Sequence, residues 1–200
     1  MQTLKNFFIG SLTLAALKCA GTVSAEVADW EIDDEHLSIV FAVEHIGYQR
    51  QMGMFLEASG SFRYDPDSRE LVSGRIEIEA DSIFSNHRAR DNHLRGGDFL
   101  DARRHPTIVF EATGFSASSA DPDQGVLVGN LTLLGQTHRV ELAVTLNKRA
   151  EYPFGHGRET LGISARTTLL RSQWGMDYGV ADGLVGDEVV LQFELEGIRQ

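Results

Sequence analysis

The sequence lacks the residues on which several common kinds of site depend. Its single cysteine, Cys19, lies near the N-terminus, so residues 26–200 contain no cysteine at all. Disulfides and cysteine-based zinc or iron–sulfur sites are therefore excluded for that part of the chain. The seven histidines show no His-x-His, His-x3-His or His-Glu-x-x-His spacing, which leaves no local metal-ligand motif.

Positive charge is also scarce. The chain has 18 basic and 29 acidic side chains, and residues 26–200 carry 16 basic and 29 acidic ones, a formal charge of −13. Such an excess of acid repels phosphate, which argues against nucleic-acid binding and against a broad electrostatic contact with anionic lipid surfaces.

Common catalytic motifs are missing as well. The sequence contains no Gly-x-Ser-x-Gly elbow, no glycine-rich phosphate loop and no dinucleotide fingerprint, so we expect a binding protein without a cofactor rather than an enzyme. Catalytic groups assemble in space rather than in sequence. An enzyme acting on a small envelope metabolite through His45, Asp91 and His93 therefore stays an alternative.

The N-terminus has the pattern of an export signal. Lys5 precedes an apolar stretch from Phe7 to Leu17, and a small-residue cleavage pattern ends at Ala25. These features predict a signal peptide over residues 1–25 and one mature domain over residues 26–200. The expected location is the periplasm or the extracellular space.

Two alternatives concern the membrane. A lipoprotein anchored at Cys19 is the weaker one, because Lys18 occupies the position where a small residue is expected. No segment after the signal offers 18 consecutive apolar residues, so we expect no membrane-spanning segment in the mature chain.

Alternation of apolar and polar residues dominates residues 26–200. It predicts eight or nine strands linked by turns such as Asp65-Pro66-Asp67, Asp121-Pro122-Asp123 and Gly135-Gln136, which is typical of an antiparallel sandwich or barrel. The large residues on the faces predicted to point inward are Ile39, Phe41, Val43, His45, Phe62, Ile76, Ile78, Ile108, Phe110, Leu131, Leu133, Leu142, Val144 and Ile163.

These inward faces have two interpretations. For any single residue, packing in a solid core is the simpler one, and His45 is then a core histidine with a satisfied hydrogen bond. An eight-stranded barrel can also enclose one slim ligand. Small residues on the same faces favour unfilled space along the wall, and they are Gly60, Gly74, Ala112, Gly114 and Gly129.

One segment breaks the alternation. Residues 85–99 are charged and predict a short helix over one end of the barrel, with Ser85 or Asn86 as the N-cap. We expect its charges to pair locally and Asp91 to be a hydrogen-bond acceptor that positions the helix rather than a general base.

Several separated motifs together resemble the YceI-like, or polyisoprenoid-binding domain, proteins. The match covers nearly all of residues 26–200, although Leu37 separates a His and a Ser that are more often adjacent and Ser85 replaces the usual Thr. The motifs are Trp30 to Asp33, His36 to Ser38, Phe41 to His45, Gly53 with Phe55, Ser82 to Asn86, Arg90 to Leu94, Asp98 to Asp101, His105-Pro106 with Phe110, Gly129 to Thr132, Gly135 to Thr137, and Arg171 to Met176.

The resemblance implies an extended lipocalin-like barrel of eight antiparallel strands, export to the periplasm, and an apolar tunnel that holds a long isoprenoid chain. The ligand would be a quinone tail or a polyprenyl phosphate, with Phe99 added to the wall residues. A quinone-handling accessory of a membrane cytochrome is the alternative within this family. A homodimer is also left open.

A polar headgroup needs a place at a mouth of the barrel, because a charge buried midway along the tunnel is costly unless it is paired. We expect the helix, with Arg90 and His93, and the segment of Arg171 and Trp174 to frame that entrance. Arginine suits an oxyanion, and the Trp174 ring could cover the opening. In the alternative, the arginines only neutralise acids such as Asp91 and Asp98.

Overall fold

The computed structural model describes residues 26–200, so the predicted signal peptide lies outside the described residues. The described chain is mostly antiparallel sheet, with one helix, α1 (Arg88–Leu94), and short 3₁₀ turns at Asp34–His36, Ala80–Ser82 and Arg171–Trp174. The strands are β1 (Ala28–Ile32), β2 (Ser38–His45), β3 (Gln49–Phe55), β4 (Ala58–Asp65), β5 (Glu70–Glu79), β6 (Ile83–Phe84), β7 (Thr107–Ala117), β8 (Gln124–Leu133), β9 (Gln136–Glu151), β10 (Glu159–Leu170) and β11 (Val185–Arg199).

Eight strands close into a barrel, as predicted. The order is β1-β4-β5-β7-β8-β9-β10-β11, and β1 pairs with β11 to complete the ring. The strands β2, β3 and β6 extend the sheet from the first part of β11. Because β1 and β2 both pair with β11, they act as one long strand interrupted by the 3₁₀ turn between them.

The turn between β8 and β9 lies one residue earlier than predicted. Leu134 and Gly135 form it, with φ of 52° and 73°, and Gln136 already belongs to β9. Two successive residues with positive φ are what a two-residue hairpin turn of type I′ requires, and this turn matches the twist of the strands.

Two β-bulges shift the alternation that the sequence predicts. Val72 has no partner in the β4–β5 ladder, so it is exposed while Leu71 faces the interior. Thr113 likewise has no partner in the β7–β8 ladder. Beyond this bulge, Phe115 points inward instead of Gly114. An extra residue reverses the two faces of a strand, and a period-two pattern cannot reveal where this happens.

The helix is shorter than predicted and has a different N-cap. Its N-cap is His87, whose Nδ1 accepts a hydrogen bond from the third residue of α1. Asn86 instead takes a left-handed conformation with φ of 62°. Ser85 does not cap the helix because its hydroxyl donates to the buried carboxylate of Asp91.

The two ends of the barrel are filled differently. At one end, Trp30 is 1% exposed, stacks on Phe62 and donates from Nε1 to the carbonyl of Tyr64. Together with Leu161 these residues form the closed end. The other end is covered by α1 and by the segments 95–106 and 171–184. Within the described residues, no helix is long and apolar enough to cross a membrane.

Candidate ligand-binding site

A cavity of about 530 Å³ runs inside the barrel. Its wall is built mainly from Ile, Leu, Val and Phe side chains on the inward faces of the strands. Every wall and entrance residue named from the sequence borders it: Ile39, Phe41, Val43, His45, Phe62, Ile76, Ile78, Arg90, His93, Phe99, Ile108, Phe110, Leu131, Leu133, Leu142, Val144, Ile163, Arg171 and Trp174. Their contact with a ligand stays a prediction.

The sequence reasoning missed part of the wall. Alternation that points Gly74 and Gly114 inward places Leu71 and Phe115 on the outer face, but the two bulges turn both side chains inward. Phe55 lies on β3, whose residues show weaker alternation, and Tyr64 and Tyr178 border opposite ends of the cavity. Pairing β3 with β2 would have identified Phe55 as a wall residue, because Phe55 lies opposite Ile39.

The small inward residues do not leave open space in the way expected. A side chain at Gly129 would meet the ring of Phe110, and one at Gly60 would meet Ile32 and a backbone oxygen of β5. Glycine therefore makes room for a neighbouring apolar side chain. Of the five small residues, only Gly74 and Ala112 border the cavity.

The cavity opens beside the β2–β3 hairpin. Ile46, Tyr178 and Leu184 border it while remaining 46%, 43% and 44% exposed, and we call these three residues the rim. His45 is also exposed, so the prediction of a core histidine is wrong. It lies near the end of β2, where the strand leaves the covered part of the sheet.

Asp91 fixes α1, the helix that covers the end of the barrel opposite Trp30. It is 6% exposed and accepts hydrogen bonds from the backbone N–H of Ser85, at 2.7 Å, and from the Ser85 hydroxyl. Burial alone would raise the pKa of Asp91, but the Ser85 hydrogen bonds and the cations Arg95 and Arg90 lower it. The predicted positioning role is confirmed.

His93 and Arg90 lie on the same helix. The Nε2 atom of His93 is 2.8 Å from a carboxylate oxygen of Asp98, and its ring packs edge-on against Phe99 and Tyr178. In the part of the chain that the structure describes, no hydrogen bond joins His45, Asp91 and His93 to one another. The three residues named for the enzyme alternative are therefore not hydrogen-bonded to one another as a catalytic triad would be.

Arg90 donates from Nε and Nη2 to the hydroxyl and carbonyl of Ser85. It therefore ties the helix to the preceding strand. Its other N–H groups have no protein partner among residues 26–200, and their contact with a headgroup stays a prediction.

Arg171 is 3% exposed, and four of its five N–H hydrogens go to backbone carbonyls of residues 176, 178, 185 and 186. The alternative that it neutralises Asp91 or Asp98 is wrong, because it binds carbonyls and fixes the loop before β11. Burial lowers its pKa, which nearby acids such as Asp187 partly offset.

Trp174 is 1% exposed and donates from Nε1 to the carbonyl of Leu131. The expectation that its ring covers the opening is wrong. The ring is large and apolar, and a backbone acceptor for its N–H lies inside the barrel, so burial satisfies both parts of the side chain.

One cluster of potential metal ligands forms across distant parts of the described sequence. Asp33, His36 and Glu196 bring their ligand atoms within 4.8 Å of one another, and His36 Nδ1 is 2.7 Å from Asp33. The hydrogen bond with Asp33 raises the pKa of His36, helped by the charge of Glu196. These contacts describe an ion-paired cluster outside the cavity wall.

Comparison with known proteins agrees with this architecture. The UPF0312 protein of Pseudomonas aeruginosa is 36% identical over 196 residues, which cover 94% of this chain and 98% of the relative. Burkholderia cenocepacia BcnA has the same fold, with a TM-score of 0.72 at 20% identity, over 82% of this chain and 98% of that one.

A polyisoprenoid-binding domain from Saccharophagus degradans also shares the fold, with a TM-score of 0.60 at 10% identity, over 88% of this chain and all of that one. The family model described as the YceI-like domain matches residues 30–197. The chain therefore belongs to the YceI-like domain family.

Proposed function

We propose that residues 26–200 form a carrier that holds an isoprenoid lipid inside the barrel. The observation that carries this proposal is the apolar cavity of about 530 Å³, which lies within the range of pockets that take small organic ligands. A solved polyisoprenoid-binding domain with the same fold supports the choice of lipid class.

The physical basis is transfer of hydrocarbon from water into a preformed apolar space. Each methylene group transferred gains about 0.8 kcal/mol. A long chain therefore binds tightly with few polar contacts, and the aliphatic wall around Leu142, Val144 and Ile163 supplies the apolar surroundings. The acidic surface of the protein has no part in this attraction.

The proposal includes export to the periplasm, for which the segment before Glu26 is the support. N-terminal sequencing of the exported form should give Glu26 as the first residue. Recovery of a chain acylated at Cys19 in the membrane fraction would instead support the lipoprotein alternative. No observation on residues 26–200 selects a cytochrome partner or a homodimer, and both stay predictions.

Mass spectrometry of an organic extract of the native protein tests the carrier function. We expect an isoprenoid lipid at near-stoichiometric amount in the parent. Ala165→Phe should reduce it strongly, because Ala165 borders the cavity and a ring there occupies the space of the ligand.

Ala143→Phe is the matched control. Ala143 lies on the neighbouring strand, beside Arg166 and next to the partner of Ala165, but it is exposed on the outer face. Circular dichroism checks that both variants fold. Equal lipid content in the two folded variants, or a parent without extractable lipid, would contradict the proposed function.

A further inference from the structure

The cluster of Asp33, His36 and Glu196 brings together three groups that can bind a metal ion. One ligand atom of each lies within 4.8 Å of the other two, although the residues belong to the end of β1, the 3₁₀ turn that follows it and β11. None of the three borders the barrel cavity. What this cluster binds is therefore independent of the proposed carrier function.

Backbone hydrogen bonds hold these three groups in place. The N–H of Asp33 donates to the carbonyl of Glu196 at 2.9 Å, which joins the end of β1 to β11. The Asp33 carboxylate caps the 3₁₀ turn by accepting from the N–H of Glu35 at 3.0 Å. This turn brings Nδ1 of His36 to 2.7 Å from Oδ2 of Asp33. The three groups are thus arranged before any ion arrives, which lowers the cost of ordering them around one.

One oxygen of the Glu196 carboxylate lacks the partner that a buried acceptor needs. Oε2 of Glu196 is buried and accepts no hydrogen bond from residues 26–200, whereas buried polar atoms nearly always have a partner in folded proteins. Tyr152 lies nearby, since burial and then the charge of Glu196 raise the pKa of its phenol, but its hydroxyl makes no hydrogen bond to Oε2. A buried anionic oxygen without a donor points to a cation that the protein itself does not supply.

Charge and space around the cluster suit a divalent cation. Asp33 and Glu196 supply two negative charges, which balance a divalent ion when His36 is neutral. The His36 side chain is 47% exposed, and Glu196 borders a groove of about 230 Å³ that is separate from the barrel cavity. Lys148 borders this groove as well, but it forms no ion pair with Glu196 among the described residues. An ion can therefore reach the cluster from solvent and keep water as a further ligand.

We propose that Asp33, His36 and Glu196 bind a zinc ion on the outside of the barrel. One imidazole nitrogen and two carboxylate oxygens form a set of protein ligands that zinc accepts, with water in the fourth position. The imidazole disfavours Mg²⁺ and Ca²⁺, which take oxygen ligands. A bound ion links the turn after β1 to β11 and therefore stabilises the folded chain.

Calorimetric titration of Zn²⁺ into the purified protein, freed of metal with a chelator and carrying no histidine tag, tests the site. We expect saturable binding of one ion per chain. His36→Ala and Glu196→Gln should each weaken zinc binding at least about tenfold. Glu194→Gln is the matched control and should leave the affinity unchanged. Glu194 lies two residues before Glu196 on the same face of β11, but its carboxylate already accepts hydrogen bonds from Ser164 and Gln192.

His156→Ala is the control for the histidine. His156 also lies near Asp33, but its Nδ1 accepts a hydrogen bond from the N–H of Arg158 at 3.0 Å. The neutral ring then carries its proton on Nε2 and has no lone pair for a metal, so this variant should bind zinc as the parent does. A parent without saturable zinc binding would overturn the inference, because a protonated His36 would then balance the two acids by itself. Controls that weaken binding as much as the ligand variants, with all variants folded by circular dichroism, would overturn it as well.

Discussion

Replacing Asp91 with alanine should loosen the helix that covers the cavity. Asp91 is the buried acid that links α1 to Ser85, and both hydrogen bonds end on one carboxylate. After Asp91→Ala, the backbone N–H and the hydroxyl of Ser85 are left in a buried place without this acceptor. Ser85 is only 3% exposed, so water cannot replace the carboxylate unless the structure around Ser85 opens locally.

The expected loss of stability follows from the two hydrogen bonds that Asp91 accepts from Ser85. A hydrogen bond to a charged group contributes about 1.5–3 kcal/mol, so two independent bonds would give roughly 3–6 kcal/mol. Bonds that share one carboxylate are not additive, and Arg90 still holds Ser85 through its carbonyl. We therefore expect the free energy of unfolding to fall by about 3 kcal/mol.

Urea unfolding measures the change, and hydrogen exchange of the α1 amides shows whether it begins at the helix. Asp98→Ala is the matched control, because Asp98 is another acid of this segment but its side chain is 54% exposed. An exposed pair contributes less than about 1 kcal/mol. Asp91 does not hold the helix in place if Asp91→Ala lowers the free energy of unfolding no more than Asp98→Ala does, or if hydrogen exchange in α1 is unchanged.

Three further predictions follow from the fold. Phe110→Asp should abolish retention of extractable lipid and destabilise the barrel, because it forces an unpaired charge into an apolar interior; mass spectrometry and urea unfolding measure the two effects, and a stable variant with full lipid would contradict them. Gly129→Ala should cost about 1–3 kcal/mol of unfolding free energy, since the added carbon meets the Phe110 ring, whereas Gly97→Ala, with nothing within 4 Å, should be nearly neutral in the same assay. The hydrogen bond with Asp33 raises the pKa of His36 above 6.5, so their contact stabilises the fold fully below pH 6.5, and this stabilisation is lost as the pH rises through the raised pKa. In Asp33→Asn the thermal stability should therefore depend less on pH across that range. A pH profile equal to that of the parent would contradict this prediction.

Local alternation was enough to predict much of the barrel. Along β9 the large apolar residues Leu142 and Val144 alternate with smaller or polar ones, and both side chains lie inside. Each strand needs one buried face, and successive side chains point to opposite faces. The sequence also predicts the helix, because residues 85–99 carry charges without that alternation.

The positions that alternation predicts wrongly are set by interactions between segments that lie far apart in the sequence. Val72 and Thr113 fall at bulges that only the pairing of two strands defines. The exposure of His45 depends on where β2 emerges from the covered sheet. The carbonyls that bind Arg171 belong to a loop whose path the composition does not specify.

The sequence by itself determined the all-β class and the apolar character of the inward strand faces, because these depend on side-chain periodicity within each strand. The barrel of eight strands was implied by the resemblance to the YceI-like proteins. Only the tertiary structure decided which glycines make room for rings, which end of the cavity is closed, and that the buried hydroxyl of Tyr64 has no hydrogen-bond partner among residues 26–200. The physical reason is that cavities and unsatisfied hydrogen bonds depend on how distant strands fill the space between them.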